Sequence, residues 1–372
     1  MQRPPRPRLA ALDSFRGLTV AGMIIVNTPG SGEHVWWPLD HAEWHGFTPT
    51  DLVFPAFLCA MGLALGLSFP RAISNLLWRR IAWRVFGLIA IGWAWQMLAR
   101  PSIEMFRVFG VLPRLGLCFG LAASFAILTA HRPPEGKARL NPAAILIAII
   151  VLLLGYWAAM ALGGDFTPEG NLAGQVDRAI VGAEHMWRLG TDNAGNVVYD
   201  PEGLFSTLPA TANVLFGLLA ALAWQRAHDR STLWRATSWT ALAGLALALL
   251  GLALAPYFPI NKRIWTSSFV LLSTGLSALL FAGCIVATRS AAVRRLLLPF
   301  DLLGMNAILA YVVSLLIGLA GMRLGFQAAG FAAVDGLLHA PYLSSFLYAL
   351  AVLLVVLALL IPLHRRGIHL RL

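Results

Sequence analysis

Along this chain, apolar residues gather into blocks of roughly 18–25, the length a helix needs to cross a bilayer, with short polar stretches between them. The blocks occupy residues 14–29, 52–69, 81–98, 108–130, 143–162, 204–224, 234–255, 265–286, 303–320 and 342–363. This pattern predicts an all-α, polytopic helical membrane protein of about ten transmembrane helices. An even number places both termini on one side. Residues 321–341 (GMRLGFQAAGFAAVDGLLHAP) are apolar enough for an additional short or re-entrant helix, which would make eleven. No composition shift marks off a soluble domain, so residues 1–372 read as a single transmembrane domain with long outer loops at 30–50 and 163–203.

Composition sharpens the class. The chain is 58% hydrophobic and 12% charged, against about 25% charge in a soluble globular protein. Its net charge of +11 is explained by topology. With a cytoplasmic N-terminus, the inner segments collect 20 of the 28 basic residues: Arg3, Arg6, Arg8, Arg16, Arg71, Arg79, Arg80, Arg84, Arg132, Lys137, Arg139, Arg226, Arg230, Arg235, Arg289, Arg294, Arg295, Arg365, Arg366 and Arg371. That is the positive-inside bias, with membrane lipid as the natural partner and cytoplasmic termini as the expected orientation. Nucleic acid is not expected, because no zinc-finger spacing, basic helix or aromatic RNA-binding motif accompanies the charge. The first apolar run is interrupted by Asp13 and Arg16, so it does not read as a cleavable signal. Cys59, Cys118 and Cys284 lie in apolar runs and read as packing residues. With no HExxH or carboxylate-rich repeat, no metal is expected.

The chemistry gathers in residues 40–62, DHAEWHGFTPTDLVFPAFLCAMG. Thr48-Pro49-Thr50-Asp51 is a helix start: threonine caps, proline takes the first helical position, and an acid three residues on closes a capping box. A loop bearing His41 and His45 is therefore pinned to the mouth of a membrane helix. Imidazole exchanges a proton near neutral pH, which makes His41 the leading candidate for a general base, or a nucleophile that carries an acyl group. Asp51 has two compatible roles, capping the helix and orienting the imidazole. His45 reads as a loop or acceptor-side residue. The outer loops interleave acids with tryptophans, a combination suited to a sugar or another polar, weakly cationic acceptor.

Several of these stretches resemble a known family. RLAALDSFRGLTVAGMIIVN at 8–27, the 40–62 stretch, YDPEGLFSTLPATANVLFGLLA at 199–220, PINKRIWTSSFVLLSTGLSALLFA at 259–282 and LGMNAILAYVVS at 303–314 are similar to the heparan-alpha-glucosaminide N-acetyltransferase family and its bacterial relatives. The resemblance implies a transmembrane enzyme that takes acetyl-CoA from the cytosolic side and acetylates the amine of a glucosamine on the far side. It also implies a homodimer and, for a bacterial member, the inner membrane. By the family pattern His41 is the catalytic histidine, accompanied by Trp44, Gly46 and Asp51, and Asn27 matches a polar residue ending the first span. His45 stands where the lysosomal relative has asparagine, and the loop from Asn27 to His41 is longer, differences that bear on the acceptor.

Other candidates carry two readings each. Arg16, paired by spacing with Asp13, and Arg79, Arg80 and Arg84 are either orientation charges or ligands for the phosphates of CoA. Arg114, inside a span, must reach a partner or a polar cavity and joins the candidate donor-binding set. Asn261 and Lys262 in PINKRIW, with Trp44 and His45, are candidates for acceptor binding. The oxyanion of an acyl transfer would be met by backbone N–H groups near Thr50 and Asp51, or by Asn27. Asn213 and Asn306 are expected to bond between helices. The competing functions are an O-acyltransferase acting on a cell-envelope glycan and, in a different class, a small-molecule transporter.

Overall fold

The computed structural model describes residues 10–70, 72–132, 138–225 and 230–367. Arg3, Arg6, Arg8, Arg71, Lys137, Arg226 and Arg371, part of the orientation argument, lie outside the described residues. Among those described, thirteen α-helices form: α1 Ala10–Asn27, α2 Val53–Leu67, α3 Asn75–Ala99, α4 Val111–Leu128, α5 Pro142–Gly163, α6 Leu172–Val181, α7 Thr207–Gln225, α8 Arg230–Leu254, α9 Ser267–Ala287, α10 Ala291–Met305, α11 Ala307–Leu324, α12 Phe326–Leu338 and α13 Pro341–Arg365. No named β-strand occurs among the described residues. The protein is thus all-α and polytopic.

Nine of these helical segments are long and apolar enough to cross a membrane, the first being Pro49–Leu67, where a 3-10 turn runs into α2. The remaining expected span, 14–29, corresponds to α1, which has 18 residues but carries Asp13 in its first turn and Arg16 a few residues on, and it is not among the nine. Residues 321–341 do hold a short helix, α12. Two expectations are corrected. The segment 163–203 is not all loop, since Asn171 caps the helix α6 by accepting the Gly174 N–H at 2.7 Å. The expected span 303–320 is broken at Asn306, where α10 ends and α11 begins. Asn306 therefore does not bridge helices in the way expected; its amide donates to Leu302 O, one turn back, at 3.4 Å.

The chain divides into two compact units. One comprises the chain through His41, Thr48–Phe57 and the segment from Leu279 onward. Its axis is α1 lying along α10, and the approach is close because glycine stands at both crossing points. A Cβ on Gly17 would strike the Phe300 carbonyl, and one on Gly304 the Asp13 carbonyl. Small residues at such crossings let membrane helices gain dispersion contacts that lipid cannot supply. At the same crossing Ser14 bonds to Asp301, which pairs with Arg294 at 3.0 Å.

The other unit comprises Ala42–Phe47 and Leu58–Ala278. Here α4 packs against α3 and α7, and α5 against α7. Gly62 and Gly217 bring α2 and α7 into backbone contact. Asn213 on α7 bonds across to α9 as expected, donating to Thr274 Oγ1 at 2.9 Å, and it accepts the Trp265 indole N–H at 3.0 Å. An aromatic and aliphatic core of Tyr156, Met160, Ala173, Phe258 and Ile264 lies against Trp44, Phe166 and Phe205.

Candidate active site

Three of four consecutive residues, Thr48, Thr50 and Asp51, fix the start of α2 and with it the imidazole of His41. The Asp51 carboxylate accepts the Thr48 N–H at 3.0 Å, as the capping box requires. Thr48 Oγ1 donates to Asp40 O at 2.6 Å, and Thr50 Oγ1 to Pro38 O at 3.0 Å. These bonds tie the loop to the helix on both sides of His41. Asp51 Oδ1 then meets His41 Nδ1 at 2.7 Å.

Burial divides the labour. The Asp51 side chain is 1% exposed and that of His41 32%. A carboxylate already accepting a backbone N–H faces Nδ1, so Nδ1 carries the proton and donates it. In the neutral ring this arrangement places the lone pair on Nε2, the tautomer a general base needs. One oxyanion candidate is corrected: the Asp51 N–H is engaged within its own turn, donating to Thr48 O at 2.9 Å. Asn27 is exposed at the C-terminal end of α1.

The residues between His41 and Thr48 belong to the second unit. Trp44 donates its indole N–H to Phe166 O at 2.7 Å and stands edge-on to Tyr199 at 4.8 Å. The Asn261 amide lies 3.3 Å from His45 Nδ1. Because Asn261 Oδ1 accepts the Ile264 N–H at 3.1 Å, its Nδ2 faces His45 and donates. His45 is thereby held neutral with its proton on Nε2, and partial burial also lowers its pKa. Gly46 sits at φ +121°, where L side chains are strained, and its N–H bonds to Ile260 O at 2.8 Å. Lys262 is half-buried in the same turn, its carbonyl accepting the Trp265 N–H at 3.2 Å.

The arginines separate by surroundings. Arg16 pairs with Asp13 at 3.0 Å. Arg79, Arg80 and Arg84 are exposed on α3, with Arg84 over the Phe119 ring at 5.4 Å. Arg114 is 1% exposed. It donates to Gly203 O at 2.9 Å and to Ser206 Oγ, and its guanidinium lies over the Trp265 ring at 5.0 Å. Its electrostatic neighbours include Glu202, Asp200 and Asp177.

A sequence model of the catalytic region of heparan-alpha-glucosaminide N-acetyltransferase matches residues 8–258. The human protein named heparan-alpha-glucosaminide N-acetyltransferase is 32% identical over 82% of this chain, and the mouse protein 30% identical over 84%. The chain belongs to this family. It spans about half the length of these relatives, 52% and 54% respectively. The matched region contains Asn27, His41, Trp44, His45, Asp51 and the candidate arginines, and it ends before Asn261 and Lys262.

Reading the chain as a family member does not by itself single out a second polar cluster. Arg107 grips Asp200 with two bonds, 2.9 Å from Nε and 2.6 Å from Nη2, and also pairs with Glu202. Burial works against the Arg107 charge, yet Asp200 and Glu202 hold Arg107 above its ordinary pKa. Arg107 and then Arg114 hold Glu202 below its own, also against burial. Asp177 differs: burial pushes its pKa up to about 6, although Phe205 and Leu204 donate backbone N–H groups to it. The acids were visible as loop residues in YDPEG and AGQVDR, but nothing local told them apart from Asp165 and Asp192. Among the described residues, no group of three or more His, Cys, Asp or Glu side chains is placed to hold a metal ion.

Proposed function

We propose that this membrane protein is an acetyltransferase that moves an acetyl group from acetyl-CoA, entering from the cytosolic side, to the amine of a glucosamine-type sugar on the outer side. The observation that carries the reading is the 2.7 Å contact between His41 Nδ1 and the buried carboxylate of Asp51, which sets up Nε2 as the base. The amine nitrogen attacks the thioester carbonyl, and the new C–N bond forms as a tetrahedral oxyanion develops. The amine proton passes to His41 Nε2. Collapse breaks the C–S bond, and the departing sulfur of CoA takes the proton from His41 Nε2, which restores the base. In the two-step variant His41 Nε2 attacks the thioester and CoA leaves as its thiolate; the amine then attacks the acetyl-imidazole, the C–Nε2 bond breaks, and the amine proton goes to the thiolate.

Asn27 is proposed as an oxyanion donor. Arg16, Arg79, Arg80 and Arg84 supply cationic charge for the phosphates of CoA. Trp44, His45, Asn261 and Lys262 serve the acceptor, the neutral imidazole of His45 presenting an N–H to a sugar hydroxyl. Residues 1–372 act as one transferase domain with outer segments at 30–50 and 163–203. Ten spans with cytoplasmic termini, a bacterial inner-membrane location and a homodimer complete the proposal. The deciding experiment measures free CoA and acetylated product from purified protein with acetyl-CoA and glucosamine, beside His41→Ala. Full activity in the variant removes His41 as the base. Transfer to hydroxyl sugars but never to an amine promotes the O-acyl alternative. Uptake of labelled sugar into vesicles without CoA release promotes the transporter.

A further inference from the structure

Arg114 on α4 and Asp177 on α6 are each 1% exposed, and both close on one stretch of backbone, Gly203–Phe205. Arg114 Nη2 donates to Gly203 O at 2.9 Å. Asp177 Oδ1 accepts the N–H groups of Leu204 at 2.9 Å and Phe205 at 3.1 Å. The two side chains feel each other's charge. Even so, Arg114 Nε and Nη1 and Asp177 Oδ2 have no hydrogen-bond partner among the described residues. Buried polar atoms are nearly always bonded, because stripping water from them without replacement is unfavourable. Both side chains thus bind the same backbone segment through one atom each, while other polar atoms of each remain unmatched.

The chemistry of the partner follows from what surrounds it. Guanidinium only donates, so the partner must accept. An anion would meet that need but would face Asp177, Asp200 and Glu202. A cation would suit Asp177 but face Arg114, with Arg107 paired to Asp200 and Glu202 close by. A hydroxyl or an amide both donates and accepts and carries no net charge. The same segment continues back through Asp200 to Tyr199, whose ring meets Trp44.

We infer that Arg114 and Asp177 form a polar subsite for a neutral hydroxyl-bearing group, the hydroxyls of a sugar acceptor. The choice of a sugar rests on the proposed transferase reading; the demand for a neutral donor–acceptor group does not. Arg114 thereby serves the acceptor side rather than a CoA phosphate.

The test uses the full chain in lipid nanodiscs, with D-glucosamine and D-glucose as probes. Amide hydrogen exchange in a peptide covering 199–206 is expected to slow saturably with either sugar, because the Leu204 and Phe205 amides are held by Asp177. Asp177→Asn and Arg114→Lys are expected to raise KM for glucosamine about tenfold or more while leaving KM for acetyl-CoA within about twofold. The wild type should distinguish glucose from its monodeoxy analogues at one position, and the variants should lose that discrimination, which a purely structural role would not affect. Unchanged exchange with sugar overturns the subsite. So does a lower thermal midpoint with unchanged KM, the result expected if the partner is only a buried water. Should the variants not fold, exchange on the wild type decides. Saturable protection without CoA release would sink the transferase reading and keep the subsite, whereas CoA release without protection would do the reverse.

Discussion

Two polar clusters in this molecule are built in opposite ways. His41 and Asp51 stand ten residues apart and meet through one turn, where each bond also caps a helix or anchors a loop. Arg114, Asp177 and Gly203–Phe205 come from three distant parts of the chain and meet with polar atoms still unmatched. In the first, geometry is local and complete: Asp51 Oδ1 holds the imidazole while Oδ2 holds the Thr48 N–H. In the second, packing has brought charged groups together without joining them. A complete local pair suits a group that must be held in one tautomer through a reaction. An incomplete, long-range pair suits a place where something else completes the bonding.

The contrast can be broken at its strongest point first. His41→Ala should lower CoA release with glucosamine by about 10²–10⁴-fold with little change in thermal midpoint, since Asp51 keeps its helix-capping bond. If activity survives, the local cluster is only a cap. Asp51→Asn should cost up to about 10⁴-fold in kcat, because the amide can present its N–H side to the ring and so favour the wrong tautomer. An unchanged pH–rate profile in that variant would separate orientation from proton transfer.

The distant cluster has its own signature in pH. The Asp177 pKa is raised from 3.8 to about 6 by burial, so the folded state holds this proton more tightly than the unfolded state. Its stabilising effect is fully present below about pH 4 and is lost as pH rises to about 6. By proton linkage the change is on the order of 3 kcal/mol. Thermal scans of wild type and Asp177→Asn between pH 4.5 and 7, chosen around these two pKa values, should show that slope in the wild type alone. A parallel pair of curves would mean that the carboxyl is not desolvated. The smallest effect belongs to the link after His45: Gly46→Ala should cost about 1 kcal/mol for its positive φ, read as a modest drop in thermal midpoint. No change there would mean that the turn relaxes without strain.

Much of this was legible in the sequence because the physics is local. A run of apolar residues must become a helix in lipid, where unpaired backbone is untenable, so the all-α class and most helices followed from hydropathy alone. Thr-Pro-Thr-Asp declared its cap, and His41 was marked by lying just before it. Where polar residues broke that simplicity, the reading blurred. Asp13 and Arg16 leave α1 outside the nine long apolar helices. Asn306 divides what looked like one span, and α6 sits inside a stretch that looked like loop because its amphipathic turn is short.

Tertiary structure decided the rest. Asp165, Asp177 and Asp192 look alike along the chain, yet only Asp177 is buried, beside Arg114; Asp165 and Asp192 stay in water, where hydrogen bonds from Thr167 and Asn196 hold their pKa values low. Sequence fixes which groups can ionise and which segments must leave water. Which charge loses its water, and against which partner, depends on residues dozens of positions away, because the cost of burying a charge is set by everything packed around it.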